Sequence, residues 1–197
     1  MSTATADPGW HRAMPRNRRP RDREEKRAEI VTAARTLFVD DGYDAVSMAR
    51  IARAAGVVSN TVYWYFGDKD GILIAVLDEV LADALERSGE LTLLEPADRL
   101  LWVLTELEQL SRLVTTVHAR SKESESIRAW HERFHALTDA LLRLELAGLG
   151  VPDDGVDEVT TIAIYVLEGL LMHPVEPARK RAVLETLLRG AKGSAIS

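Results

Sequence analysis

The chain has 197 residues, long enough for one well-buried core or for a small domain joined to a larger one. With 46% apolar and 28% charged residues and no apolar run near the ~20 residues of a membrane span, it reads as soluble and cytoplasmic, and the lack of cysteine excludes disulfides and thiolate sites. Net charge is −6, unevenly placed: residues 1–70 carry 12 Lys/Arg against 10 Asp/Glu and residues 71–197 carry 13 against 21, which points to an N-terminal part that meets a polyanion.

In chain order, residues 1–22 hold the early prolines and no hydrophobic period, and read as a disordered basic arm. Six arginines fall between Arg12 and Arg23. From about Glu24 the pattern is helical. Ile30, Ala33, Ala34, Leu37 and Phe38 share a face, and Gly42 stops the helix. Ser47 caps a short second helix that ends at Gly56, and a third covers about Ser59–Tyr65. Asp68 caps a fourth, from Lys69 to about Arg87. Pro96 then opens a helix to about Leu113, followed by a short segment to Arg120. A long helix covers about Glu123–Ala147, the next starts at Asp153 or Asp154, and the last covers about Ala178–Arg189. No strand alternation and no repeat occurs, so the expected fold is all-α.

The stretch Ser47–Leu73, "SMARIARAAGVVSNTVYWYFGDKDGIL", carries the chemistry. Two helices of two turns are joined by "AAGV", where Ala55 allows close packing and Gly56 can take a left-handed turn. Ile51, Ala52, Val57, Val62 and Phe66 would pack between them, leaving Ser59, Asn60, Thr61, Tyr63 and Trp64 outward. Exposed aromatics beside hydroxyls and an amide suit base edges and phosphates better than bulk water.

This segment resembles the TetR family of bacterial transcriptional regulators. Gly42-Tyr43, Ser47, Ile51-Ala52, Ala55-Gly56-Val57, Tyr63, Tyr65-Phe66, Lys69 and Ile72-Leu73 follow the family pattern in order and spacing over about residues 24–75. The resemblance implies a helix-turn-helix head (23–68) and a helical effector-binding and dimerisation body (69–192). It places Ser59, Asn60, Thr61 and Trp64 in the major groove of double-stranded DNA. Ser47, Tyr63, Tyr65 and Lys69 would hold flanking phosphates, and Arg18, Arg19 and Arg21 of the arm would enter the minor groove. Val58 and Ser59 stand where the family has a polar cap and the residue after it, which would start the third helix one residue late. Arg50 replaces an acid of the family's capping box, against the helix dipole, and is expected with Arg53 to meet the DNA backbone.

Residues 159–174, "VTTIAIYVLEGLLMHP", are apolar on nearly every face and must be covered on two sides. With the stripe of the last helix, Ile162, Val166, Gly169, Leu170, Val183, Leu184 and Leu187 are expected to form a homodimer interface. Trp102, His118, Trp130, His131, Phe134, Tyr165 and Met172 are candidates to line a pocket for a small apolar effector.

The string His131-Glu132-Arg133-Phe134-His135 has the form of a zinc-protease motif. Ile127, Trp130, Phe134, Leu137, Leu141 and Leu144 form the buried stripe of its helix, which puts both histidines on the flank and Glu132 toward solvent. No third ligand follows, so no metal and no cofactor is expected and the chain is read as a regulator rather than an enzyme. Two alternatives remain: a small-molecule carrier or sensor without a DNA role, and a zinc-dependent hydrolase using His131, Glu132 and His135.

Overall fold

The computed structural model describes residues 20–173 and 175–193, and among these it contains helices and no strand. In order they are α1 (Pro20–Asp41), α2 (Met48–Ala54), α3 (Ser59–Phe66), α4 (Lys69–Ser88), α5 (Pro96–Gln109), α6 (Ser111–Arg120), α7 (Glu125–Gly148), α8 (Val156–Met172) and α9 (Pro177–Gly193). The arm residues Arg18 and Arg19 lie outside the described residues. Helix α1 opens at Pro20, inside the range read as arm, because proline fits the first turn, where its missing N–H has no partner to lose. Arg21 belongs to that first turn.

Helix α1 buries Ile30, Val31, Ala34 and Phe38 against Ile72, Leu73 and Val76 of α4, and Arg35 of α1 pairs with Glu79 and Asp83 of α4. This core does not stop at residue 68. It continues through Leu113 and Val117 of α6 to Ile127 and Trp130 of α7, so α4 belongs to head and body alike. A second core joins α5, the end of α7, α8 and α9 around Leu104, Leu146, Ala163 and Leu184. Two ion pairs fasten α9 to α5: Lys180 with Glu108, and Arg181 with Asp98 at 2.8 Å.

Several expectations are corrected by these contacts. The helix expected from Ala97 to Leu113 breaks at Leu110, and "SGELTLLEP" contains a short 3-10 turn, Gly89–Leu93. The inward face of α7 changes along its length. Ile127 and Trp130 face the first core, whereas Leu142 and Leu146 face the second. Leu141 and Leu144, expected inside, are exposed, Leu144 at 71%. Leu170 and Leu184, expected at a dimer interface, are buried in the chain's own second core.

Candidate nucleic-acid interface

The joint between α2 and α3 follows from its backbone hydrogen bonds. The Ser47 hydroxyl oxygen accepts from the Arg50 N–H at 3.2 Å, which caps α2. At the other end the Val57 N–H reaches the Ala52 carbonyl at 2.9 Å and the Gly56 N–H reaches Arg53 at 3.2 Å. That double bond pattern requires a left-handed residue, and Gly56 supplies it with φ +65°. Helix α3 then starts at Ser59 with Val58 in the cap position and no side-chain cap bond, so it does not start late.

Val62 faces inward and is fully buried. The residues on the other side are therefore outward: Asn60, Tyr63 (50% exposed) and Trp64 (63% exposed) lie about one turn apart on one face. Ser59 and Thr61 are half-buried on its flanks. Tyr65 is half-buried against the core, and its hydroxyl donates to the Arg23 carbonyl at 3.2 Å. It is fastened to α1 rather than standing free.

Two basic side chains of the expected interface have partners within the chain. Arg50 pairs with Asp41 at 2.6 Å, which supplies the acid that its own helix lacks. Lys69 donates to the carbonyls of Tyr43 at 2.9 Å and Val46 at 3.1 Å, and its ammonium sits 4.0 Å from the centre of the Tyr43 ring. Desolvation there lowers its pKa. Lys69 thus stitches the α1–α2 loop to α4, and only one of its three N–H donors remains for a phosphate. Arg53 is exposed in the last turn of α2.

Beneath this surface runs a contact that the sequence pattern does not show. The Tyr43 hydroxyl donates to Asp70, and Arg120 from the end of α6 forks onto the same carboxylate at 2.6 and 3.1 Å. Burial drives the Tyr43 pKa upward, reinforced by its bond to Asp70. Burial alone would raise the Asp70 pKa, but the bonds from Arg120 and Tyr43 hold it below the ordinary carboxylate value. Arg112, also on α6, donates to the Asp40 carbonyl of α1. Asp70 and Arg120 are 50 residues apart in sequence, and no local signal pairs them.

The pocket candidates do not gather in one place. Trp130 stacks on Phe134 (5.3 Å between centroids, 13° between planes) and donates to Asp78 of α4 at 2.8 Å. His131 lies against His118 of α6, 4.9 Å between ring centroids, so these four residues form one group between α6 and α7. Trp102 lies on α5 beneath Arg87. Tyr165 and Met172 are 69% and 66% exposed on the outside of α8, apart from either core. They share its open side with Ile162 and Gly169, at helical spacings of three and four. That side borders a groove of about 580 Å3 between α8 and α9, lined by Ile162, Val166, Val183 and Leu187 among others.

The zinc-like string supplies two histidines on one side of α7. His135 and His131 turn their Nε2 atoms toward each other at 3.0 Å, one imidazole donating to the other, while Glu132 is exposed. Among the described residues no group of three or more His, Asp or Glu side chains is arranged to hold a metal. Burial, then the neighbouring His135 and His118, lower the His131 pKa, and Glu132 opposes them only in part. A lowered pKa means that the unfolded chain binds the proton more tightly, so stability from this group falls as pH drops below the ordinary histidine value of about 6.5. The midpoint of urea unfolding should therefore decrease from pH 7.5 to 5.5, and His131→Gln should flatten that decrease; parallel profiles would contradict it.

Residues 30–76 match the family model "Bacterial regulatory proteins, tetR family". The HTH-type transcriptional regulator HbdR of Aromatoleum sp. (strain CIB) is 36% identical over 107 residues, 51% of this chain. The alignment covers 46% of that regulator, so the chain spans less than half of its length. The HTH-type transcriptional repressor Rv1474c of Mycobacterium tuberculosis is 27% identical over 86% of this chain and 94% of its own. Among solved structures, NalD, the secondary repressor of the MexAB-OprM multidrug efflux pump in Pseudomonas aeruginosa, superposes with a TM-score of 0.60 at 26% identity, covering 86% and 97% of the two chains. A transcriptional regulator from Saccharomonospora viridis in complex with choline gives a TM-score of 0.70 at 21% identity over 84% and 96%, a likeness of fold. The outward face of α3, the capped turn that presents it and these likenesses converge: residues 30–76 form a helix-turn-helix of the TetR type, and over head and body the chain is similar to helix-turn-helix transcriptional regulators.

Proposed function

We propose that the protein is a cytoplasmic repressor that binds a palindromic operator as a homodimer and is released by a small, largely apolar effector. The observation that carries this reading is the presence of two exposed surfaces: the Asn60–Tyr63–Trp64 face of α3, and the apolar groove between α8 and α9. A second copy seated on the groove would bury Ile162, Val183 and Leu187 and set two recognition helices one turn of DNA apart. Asn60, Tyr63 and Trp64 would contact bases, flanked by Ser59 and Thr61. The Ser47 hydroxyl, the remaining Lys69 donor, Arg50 exchanging Asp41 for a phosphate, and Arg53 would hold the backbone.

The effector would bind near Trp130, Phe134, His118 and His131. Helix α6 carries both His118 and Arg120, and Arg120 grips Asp70 at the first turn of α4. A ligand that displaced α6 would thereby rotate α4 and take α3 out of register. By linkage, effector and operator would weaken each other by the same factor.

The test is selection of random genomic fragments on the purified protein at near-physiological salt, followed by sequencing. An enriched inverted repeat is the expected result. Enrichment of no sequence, with a correctly folded protein free of small molecules by mass spectrometry, would favour a carrier or sensor without a DNA role.

A further inference from the structure

We infer that Arg23 and Arg27, in the first turns of α1, form a phosphate-binding pair beside the recognition helix, with Trp64 as the platform that positions Arg23. The inference rests on the DNA-binding reading and adds to it a site on a helix outside the helix-turn-helix. The Arg23 guanidinium carbon lies 4.6 Å from the centre of the Trp64 ring, and the Arg23 carbonyl accepts the Tyr65 hydroxyl at 3.2 Å. Side chain and backbone of one residue thus hold two consecutive aromatics of α3. Trp64 in turn meets Tyr65 edge-on at 4.8 Å. One turn further along α1, the Arg27 guanidinium lies 5.5 Å from the Phe66 ring centre.

Both arginines are exposed, and neither makes an ion pair among the described residues. By contrast Arg35, Arg50 and Arg120 are each paired with a carboxylate. A guanidinium lying over an aromatic face keeps its N–H edge free, and that planar fork matches two oxygens of a phosphate. Two like charges four residues apart weaken a helix in isolation. Here both point at rings of the recognition helix, on the side where its base-contacting face ends. The class of ligand is the DNA backbone bordering the groove that α3 would enter. Trp64 on this account serves the flank as well as the groove, because its ring carries the charge.

The experiment is fluorescence anisotropy of full-length protein on a labelled duplex, over a series of salt concentrations. The duplex carries the enriched repeat, or is sheared genomic DNA where selection yields none. Arg23→Ala and Arg27→Ala are expected each to make the slope of log K against log salt shallower by about 0.9 per phosphate lost. Arg23→Lys is expected to keep the slope and lose about two- to fivefold in affinity, the equivalent of one exposed cation–π contact. The combined loss in Arg23→Ala/Trp64→Ala is expected to be smaller than the product of the single losses. Circular dichroism of each variant checks that the fold is intact, and the exposure of both arginines leaves it so. Unchanged slopes for both alanine variants, with unmodified protein binding normally, would overturn the pair. Multiplicative losses in the double variant would overturn the role of Trp64. Failure of the unmodified protein to bind any DNA would remove the DNA-binding reading itself, and this proposal with it.

Discussion

Ile162→Asp is expected to sediment as a monomer and to bind an inverted-repeat operator about 10²–10⁴-fold more weakly than the unmodified protein, the factor by which linking two sites raises affinity over one. Ile162 lies on the open wall of the α8–α9 groove, is 53% exposed, and makes no contribution to either core. Removing it therefore leaves the protomer's own packing in place. In a dimer the same position would be covered, and an unpaired carboxylate there would resist desolvation. Sedimentation velocity and anisotropy on full and half operators separate the outcomes. A monomer with unchanged half-site affinity is the predicted pattern. A dimer of normal stability would move the interface elsewhere, and the exposed Tyr165 and Met172 would then need another cover.

Gly71→Ala is expected to destabilise the protein by about 1–3 kcal/mol, as overpacking does, and to lower operator affinity about tenfold or more, the loss of one base contact. Gly71 sits in the first turn of α4, where its N–H bonds the Asp68 carboxylate at 2.8 Å. A Cβ at this position would stand 2.1 Å from the backbone oxygen of Phe66, the last residue of α3. No rotamer relieves a clash with backbone, so the end of the recognition helix must move. Gly89→Ala is the control: a Cβ there meets nothing within 4 Å, and its backbone is right-handed. Thermal melts and anisotropy should show Gly71→Ala impaired and Gly89→Ala near normal. Equal behaviour of the two would mean that α3 and α4 separate more readily than this contact implies.

Gly71 and Lys69 show how a residue pattern can be right in place and incomplete in role. Both stand in the short segment that resembles the family, yet their neighbours come from the α1–α2 loop and the end of α3. The turn at Gly56, the capping Ser47 and Asp68, and the inward Val62 were legible because each is a local matter of backbone conformation or helical period. The exposed face of α3 followed from them. Trp64 was visible as an outward aromatic, but the arginine lying over it was not, since α1 reaches it only after the head folds.

The body was less legible for a related reason. Periodicity shows that a helix has an apolar stripe, not which neighbour covers it, and for a helix apolar all round it does not define an inside at all. Thus Leu170 and Leu184 went to the chain's own core while Ile162 and Tyr165 stayed outside. Helix α7 turns one face to α4 and α6 and another to α8, which exposes Leu141 and Leu144 on a stripe that looked continuous. The break at Leu110 had no glycine or proline to announce it. From sequence alone came an all-α chain, a helix-turn-helix and the surface it presents, because short-range sterics and capping set them. Only the tertiary structure decided that Arg120 would meet Asp70, that His131 would meet His118, and that one groove between α8 and α9 would remain uncovered. Each of those depends on helices far apart in sequence packing at one angle, which no local pattern encodes.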